Sequence, residues 1–257
     1  MNRTAALAAL FIALVLLVAP RARAGNGAHA TVAAPASRVV QLVAGARPVF
    51  GAPPADCANA RATFVYLHGV CGLTQNGCGH FEGAPGWLVC PQANVACGNG
   101  GSAWGGSIDD KIAVVDAALE ASRAQWPESR HAPVVLIGFS QGSYVAMDIA
   151  RAQPGRFAGM LLLGADTRAV DRLRAARVPR VAFVCGAYDM MFPIMSATPR
   201  ALAQPESGIA ARFGSLGRVG HTYVAEDGTD DVLDQMLSWI VADLPADAGD
   251  PPIRVLG

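Results

Sequence analysis

Gly138-Phe139-Ser140-Gln141-Gly142 sets a serine between the apolar run Val134-Val135-Leu136-Ile137 and a stretch in which Val145 and Ile149 recur at helical spacing. A serine on such a sharp strand-to-helix turn is held at strained backbone angles. Glycines two residues to either side prevent collisions with the neighbouring strand and helix. The free N–H groups of the helix start point to where an oxyanion would form. Ser140 therefore reads as a nucleophile, and the Gln141 N–H as electrophilic help.

A serine nucleophile needs a base and an acid to orient that base, and after a turn of this kind they follow in the order serine, acid, histidine. His29, His68, His80 and His131 all precede Ser140, which leaves His221 as the base. It lies in Gly217-Arg218-Val219-Gly220-His221-Thr222, a flexible stretch before the last helix. For the acid, Val178–Gly186 reads as a buried strand, with Asp189 in the loop at its C-terminal end, where open α/β sheets place their chemistry. Asp166, ending the strand of residues 160–165, is the alternative, and either aspartate could instead cap a helix. A second oxyanion donor is offered by His68-Gly69-Val70-Cys71-Gly72, after the strand Thr63–Leu67. Val70 N–H is the expected donor, ahead of Cys71 N–H, and His68 is expected to brace this loop rather than act as a base.

Taken together, Leu67-His68-Gly69, Gly138-Phe-Ser-Gln-Gly142, Gly186-Ala-Tyr-Asp189-Met-Met-Phe-Pro193 and Gly220-His221 resemble the α/β-hydrolase superfamily over residues 60–243. Within it they are most similar to the carboxylesterase, phospholipase and acyl-protein thioesterase group. The resemblance implies an α/β fold with a mostly parallel central sheet and helices on both faces. It implies Ser140 as nucleophile, His221 as base, Asp189 as acid, and Val70 with Gln141 as oxyanion donors. Two departures stand out. Ser143 replaces the usual second glycine after the motif, and a cysteine-rich loop spans Cys71 to Cys97.

The expected chemistry is cleavage of a carboxylic ester through an acyl-enzyme, with neither metal nor organic cofactor. Thioester or amide hydrolysis, and a non-catalytic binding protein of the same fold, remain alternatives. Only 12 residues, 166–177, separate two strands, which leaves no room there for a large lid. That suits a small ester, or an ester at the end of a polymer, as substrate. Trp104 and Phe81, in the long connection 71–106, are candidates to line a cleft. Met190, Met191, Phe192 and Met195 are candidates to wall an acyl pocket or simply to pack the core. Residues 86–91 of that connection have strand composition, and Ser107-Ile108-Asp109-Asp110 opens a helix with Ile112, Val115 and Leu119 on one face.

Residues 1–24 have the form of a secretory signal: an arginine, an apolar core from Ala5 to Ala19, then Ala22-Arg23-Ala24 before the cut. The core is shorter than the ~20 apolar residues of a spanning helix, so the mature chain, with residues 25–245 as one hydrolase domain and 246–257 as a loose tail, is expected to be secreted or periplasmic. Cleavage would remove three arginines and no acids, leaving 17 basic against 20 acidic residues. A net charge of −3 offers nothing to nucleic acid. Export also argues that the six cysteines form disulfides rather than a zinc site, since the C-x₂₋₄-C spacing is absent. At least two bridges are expected within residues 57–97, with Cys185 a candidate buried thiol.

Overall fold

In the computed structural model, residues 37–244 are described except 46, 99, 204–206 and 228–230. The expected signal, residues 1–24, and the expected tail, 246–257, lie outside the described residues.

The longest apolar runs become the buried central strands, and more exposed segments lie at the edges. The strands are β1 (Val40–Val43), β2 (Val49–Ala52), β3 (Ala62–Leu67), β4 (Gly86–Pro91), the short β5 (Val95–Ala96) and β6 (Ser102–Ala103), β7 (Val134–Phe139), β8 (Gly159–Leu163), β9 (Arg180–Cys185) and β10 (Ala210–Ser215). Among the described residues, eight strands form one sheet in the order β1-β2-β4-β3-β7-β8-β9-β10. From β4 to β10 every neighbour is parallel, and β1 and β2 add an antiparallel edge. The six residues of β3 and the five of β8 are all buried, as parallel strands covered by helices must be.

Side chains alternate across the sheet and so divide the core in two. Val65, Leu67 and Leu136 face α2 (Ile108–Gln125), α3 (Gln141–Ala152), α4 (Val170–Ala176) and α5 (Phe192–Leu202). Phe64, Tyr66, Val135 and Ile137 face α1 (Thr74–Gly79) and α6 (Val232–Val241). The helix expected after Ser107 is α2, and its capping box is complete. Ser107 Oγ accepts from Asp110 N–H at 3.1 Å, and Asp110 Oδ2 accepts from Ser107 N–H at 2.8 Å. Residues 166–177 hold only α4, and no large lid is evident.

From β3 the chain turns to β4 on one side, then returns to β7 on the other. The crevice between the C-terminal ends of β3 and β7 is thus a topological switch point, where open α/β sheets leave room for a ligand. His68 follows β3 and Ser140 follows β7, so one crevice receives both.

Two disulfides are present, Cys71–Cys97 and Cys78–Cys90, while Cys57 is exposed and Cys185 buried, both as thiols. The second bridge ties α1 to β4 inside the core. No helix among the described residues is long and apolar enough to cross a membrane. Replacing Cys78 and Cys90 together by alanine should cost about 3 kcal/mol, the worth of closing a short loop, and lower Tm by about 6–12 °C for a domain this size. Calorimetry on the oxidised double variant checks this, and an unchanged Tm would mean that the bridge adds no constraint.

Candidate active site

Ser140 occupies the turn from β7 to α3 at φ +52°, ψ −119°. Such a conformation costs an L-residue about 1–3 kcal/mol and persists only where the surroundings enforce it. Here they do so by close approach. A Cβ on Gly142 would sit 1.9 Å from Leu67 O, and one on Gly138 would sit 2.5 Å from Ser143 Cα. Ser140 N–H donates to Leu163 O at 2.9 Å. Ser143 is fully buried beneath the turn. Its hydroxyl lies 2.6 Å from Gly138 O and 2.9 Å from Leu163 O, sharing one hydrogen between them, and accepts from Leu163 N–H at 3.1 Å. The departure from a second glycine therefore fastens the turn to β8.

Asp189 and His221 come together from loops after β9 and β10. His221 Nδ1 is 2.7 Å from Asp189 Oδ2, and Asp189 Oδ1 accepts from Met191 N–H at 2.9 Å. The Asp189 side chain is 1% exposed and that of His221 47%, so the carboxylate is sealed and the ring reaches solvent. Facing a carboxylate, Nδ1 carries the ring proton and Nε2 keeps its lone pair. The two loops are joined by Ala187 N–H to Gly217 O (2.8 Å) and Tyr188 N–H to Val219 O (2.9 Å). Gly186 permits this contact, since a Cβ there would lie 2.2 Å from Val219 O. No hydrogen bond joins Ser140 Oγ to His221. The ring lies beside the serine turn, its centroid 5.1 Å from that of Phe139.

Gly164, just after β8, was not singled out by sequence. At φ +56°, a Cβ on it would come within 2.8 Å of His221 Cε1 and 3.2 Å of Asp189 Oδ2. It is the opening into which the His221 ring and the Asp189 carboxylate fit. A glycine at a strand's C-terminal end was the available signal. Burial also pushes the thiol of Cys185, at the end of β9, up to about 12, helped by the neighbouring Asp189 carboxylate. It is a neutral packing group.

Asp166 does not reach His221. Its carboxylate accepts from Arg168 N–H (3.0 Å) and pairs with the Arg168 guanidinium, which together hold its pKa below the usual carboxylate range. Its own N–H donates to Tyr144 Oη at 2.9 Å.

The loop after β3 lies against the serine. A Cβ on Gly69 would touch Ser140 Cβ at 3.3 Å. Val70 is 61% exposed, and neither its N–H nor that of Gln141, the first residue of α3, has an acceptor among the described residues. His68 is buried below them, as the bracing role required. Its Nδ1–H donates to Gly69 O at 2.7 Å, and Nε2 accepts from Ala93 N–H at 3.1 Å with Ser102 Oγ at 3.2 Å.

Two expected cleft residues are placed differently. Trp104 is 5% exposed, its indole N–H bonded to His68 O at 3.0 Å, so it is buried against the loop after β3 instead of lining a cleft. Phe81 is fully buried against Tyr66, since a ring this large gains more from core burial than from an open wall. Phe192, a candidate for an acyl-pocket wall, is half-buried and packs edge-on to Phe213 at 5.3 Å. Met195 is buried as well, whereas Met190 is 81% exposed beside Asp189. A cavity of about 970 Å³ beside the Cys71–Cys97 loop includes none of Ser140, Asp189 and His221 in its walls.

No protein-family model and no curated protein matches the sequence. Solved structures do match. An S-formylglutathione hydrolase from Agrobacterium tumefaciens superposes with a TM-score of 0.56 at 15% identity, over 80% of this chain and 95% of that one. A Bacillus cereus carboxylesterase gives 0.51 at 15%, over 75% and 93%. An uncharacterized protein from Bacillus cereus ATCC 10987 gives 0.54 at 17%, over 70% of this chain but only 60% of that one. The chain has the α/β-hydrolase fold.

Within this α/β-hydrolase fold, the burial of His68 predicts a pH dependence of stability. Burial lowers its pKa below the ordinary imidazole value, opposed in part by its bond to Gly69 O. Between the folded and unfolded values, the unfolded chain binds a proton that the folded chain does not, so acid favours unfolding. Stability from this group is whole above about pH 6.5 and is lost as the pH falls below it. The Tm of the native protein should therefore drop more steeply from pH 7 to pH 5 than that of His68→Gln, even though the variant starts lower. Parallel melting curves across that range test this, and equal slopes would remove His68 from the account.

Proposed function

We propose that this protein is an exported serine hydrolase that cleaves carboxylic esters through an acyl-enzyme. The reading is carried by one arrangement: a serine on a strained turn at a helix N-terminus, beside an imidazole whose Nδ1 is held by a buried carboxylate. The hydrolase and carboxylesterase names of the superposed structures agree with it. Export is supported by the signal-like residues 1–24 and by the two disulfides.

In the proposed mechanism, His221 Nε2 accepts the Ser140 hydroxyl proton as Oγ attacks the ester carbonyl. Asp189 keeps Nδ1 protonated and balances the imidazolium charge. The oxyanion binds Val70 N–H and Gln141 N–H, neither of which has an acceptor among the described residues. The imidazolium gives its proton to the departing alkoxide. Water, deprotonated by His221, then releases the acid and restores Ser140. Val70, Tyr188 and Met190, all more than half exposed, offer apolar contacts at the open rim. A small ester or an ester at a polymer end fits such an uncovered site.

The test is labelling by a fluorophosphonate together with turnover of p-nitrophenyl esters of increasing acyl length. Ser140→Ala should abolish labelling and lower kcat by about 10⁴-fold or more. Normal turnover by the folded variant would sink the mechanism.

Asp189→Asn should retain the fold yet cut kcat by about 10⁴-fold, because the amide stabilises the wrong tautomer and cannot balance the charge. Asp166→Asn should leave kcat near the native value and lower Tm, since it loses the pairing with Arg168. A collapse in kcat confined to Asp166→Asn would reverse the two roles.

A further inference from the structure

We propose that Trp104 is a positioning residue that sets the spacing between the two oxyanion donors, clamping the loop after β3 to the start of α3. The proposal rests on the serine-hydrolase reading above and deepens it.

The two donors come from distant parts of the chain, and no bond between their own backbones holds them in register. Trp104 makes one. Its indole N–H donates to His68 O at 3.0 Å, two residues before Val70. Its backbone N–H donates to Gln141 Oε1 at 3.0 Å, and its carbonyl accepts from Gln141 Nε2 at 3.1 Å. The Gln141 side chain thus closes a two-bond ring with Trp104, while the Gln141 N–H remains free for the oxyanion. Every polar group of one residue is spent on the two halves of the site.

The clamp is anchored from below. Trp104 follows β6, and Ser102 in that strand donates its N–H to Gly72 O at 3.1 Å, beside the Cys71–Cys97 bridge. Ser102 Oγ also meets His68 Nε2, and the Trp104 ring lies 5.6 Å from the His68 ring. With Trp104 only 5% exposed, water cannot replace a lost bond, and an orphaned buried carbonyl at His68 would pull the loop away. Preorganised donors stabilise an oxyanion only at the right separation, and a displacement near 1 Å costs about 10²-fold. The site therefore demands tryptophan specifically. Phenylalanine would fill most of the volume but cannot donate to His68 O.

The experiment compares the native protein with Trp104→Phe and with Gln141→Leu, which retains its backbone N–H, and with the double variant. We measure kcat and KM for p-nitrophenyl butyrate, the inhibition constant of a trifluoromethyl ketone that forms a tetrahedral oxyanion adduct, and Tm. Each single variant should lose about 10- to 100-fold in kcat with KM nearly unchanged, and ketone affinity should fall by the same factor as kcat/KM. The double variant should lose little more than the worse single, since both break one clamp. Native kcat and ketone affinity in a folded Trp104→Phe, or a loss confined to KM, overturns the proposal. If Trp104→Phe does not fold, Gln141→Leu decides by the same two criteria. A native protein that neither turns over esters nor reacts with a fluorophosphonate would instead defeat the underlying hydrolase reading, and this proposal with it.

Discussion

Ser140 is held at backbone angles that an L-residue avoids, and that strain is sustained only because α3 is pressed onto the ends of β3 and β7. The pressure is visible in what has been removed. Gly138 and Gly142 lack the side chains that would strike Ser143 and Leu67, and Gly69 lacks the one that would crowd Ser140. Ser143 then supplies a buried hydroxyl that links the turn to β8. A conformation costing a few kcal/mol is stabilised by contacts made on every side, and the helix N-terminus stays aimed at the crevice as a result.

The rest of the site divides into a sealed bed and an open lip. Asp189, His68 and Trp104 are each at most about 5% exposed, and each satisfies its polar atoms within the protein. Above them, His221, Val70 and Met190 meet solvent. Buried hydrogen bonds are costly to leave unmade, so the bed is rigid. Exposed groups carry no such penalty, so the lip is left open to solvent. The Cys71–Cys97 bridge and the Ser102 to Gly72 pairing tie the cysteine-rich connection to the loop after β3, which gives this unusual insertion a mechanical place next to the Ser140 turn.

Much of this was legible in the linear chain, because local rules act over a few residues. The strand before Ser140, the helix after it and the capping box at Ser107 all follow from short-range pattern, and the mostly parallel sheet was implied by the resemblance that the motifs carry. Chain order isolated His221. It could not choose between Asp166 and Asp189, since both follow a strand and both precede His221. The choice of partner depends on which loop the end of β9 carries towards β10, and on Arg168 occupying Asp166.

Residue type misled where burial and chemistry ask for the same side chain. Trp104 and Phe81 suit a cleft wall and a core equally, and solvent exposure alone separates the two uses. Gly164 went unnoticed for a related reason: its role is the space it leaves for His221, and an empty volume has no letter in a sequence. The chain by itself determined the elements, the serine turn and the histidine, because those depend on neighbours within a turn or a strand. Tertiary structure alone showed Asp189 and not Asp166 facing that histidine, the cysteine pairs, and the bonds of Trp104 to both His68 and Gln141, because these join residues that only the packed sheet brings within reach of one another.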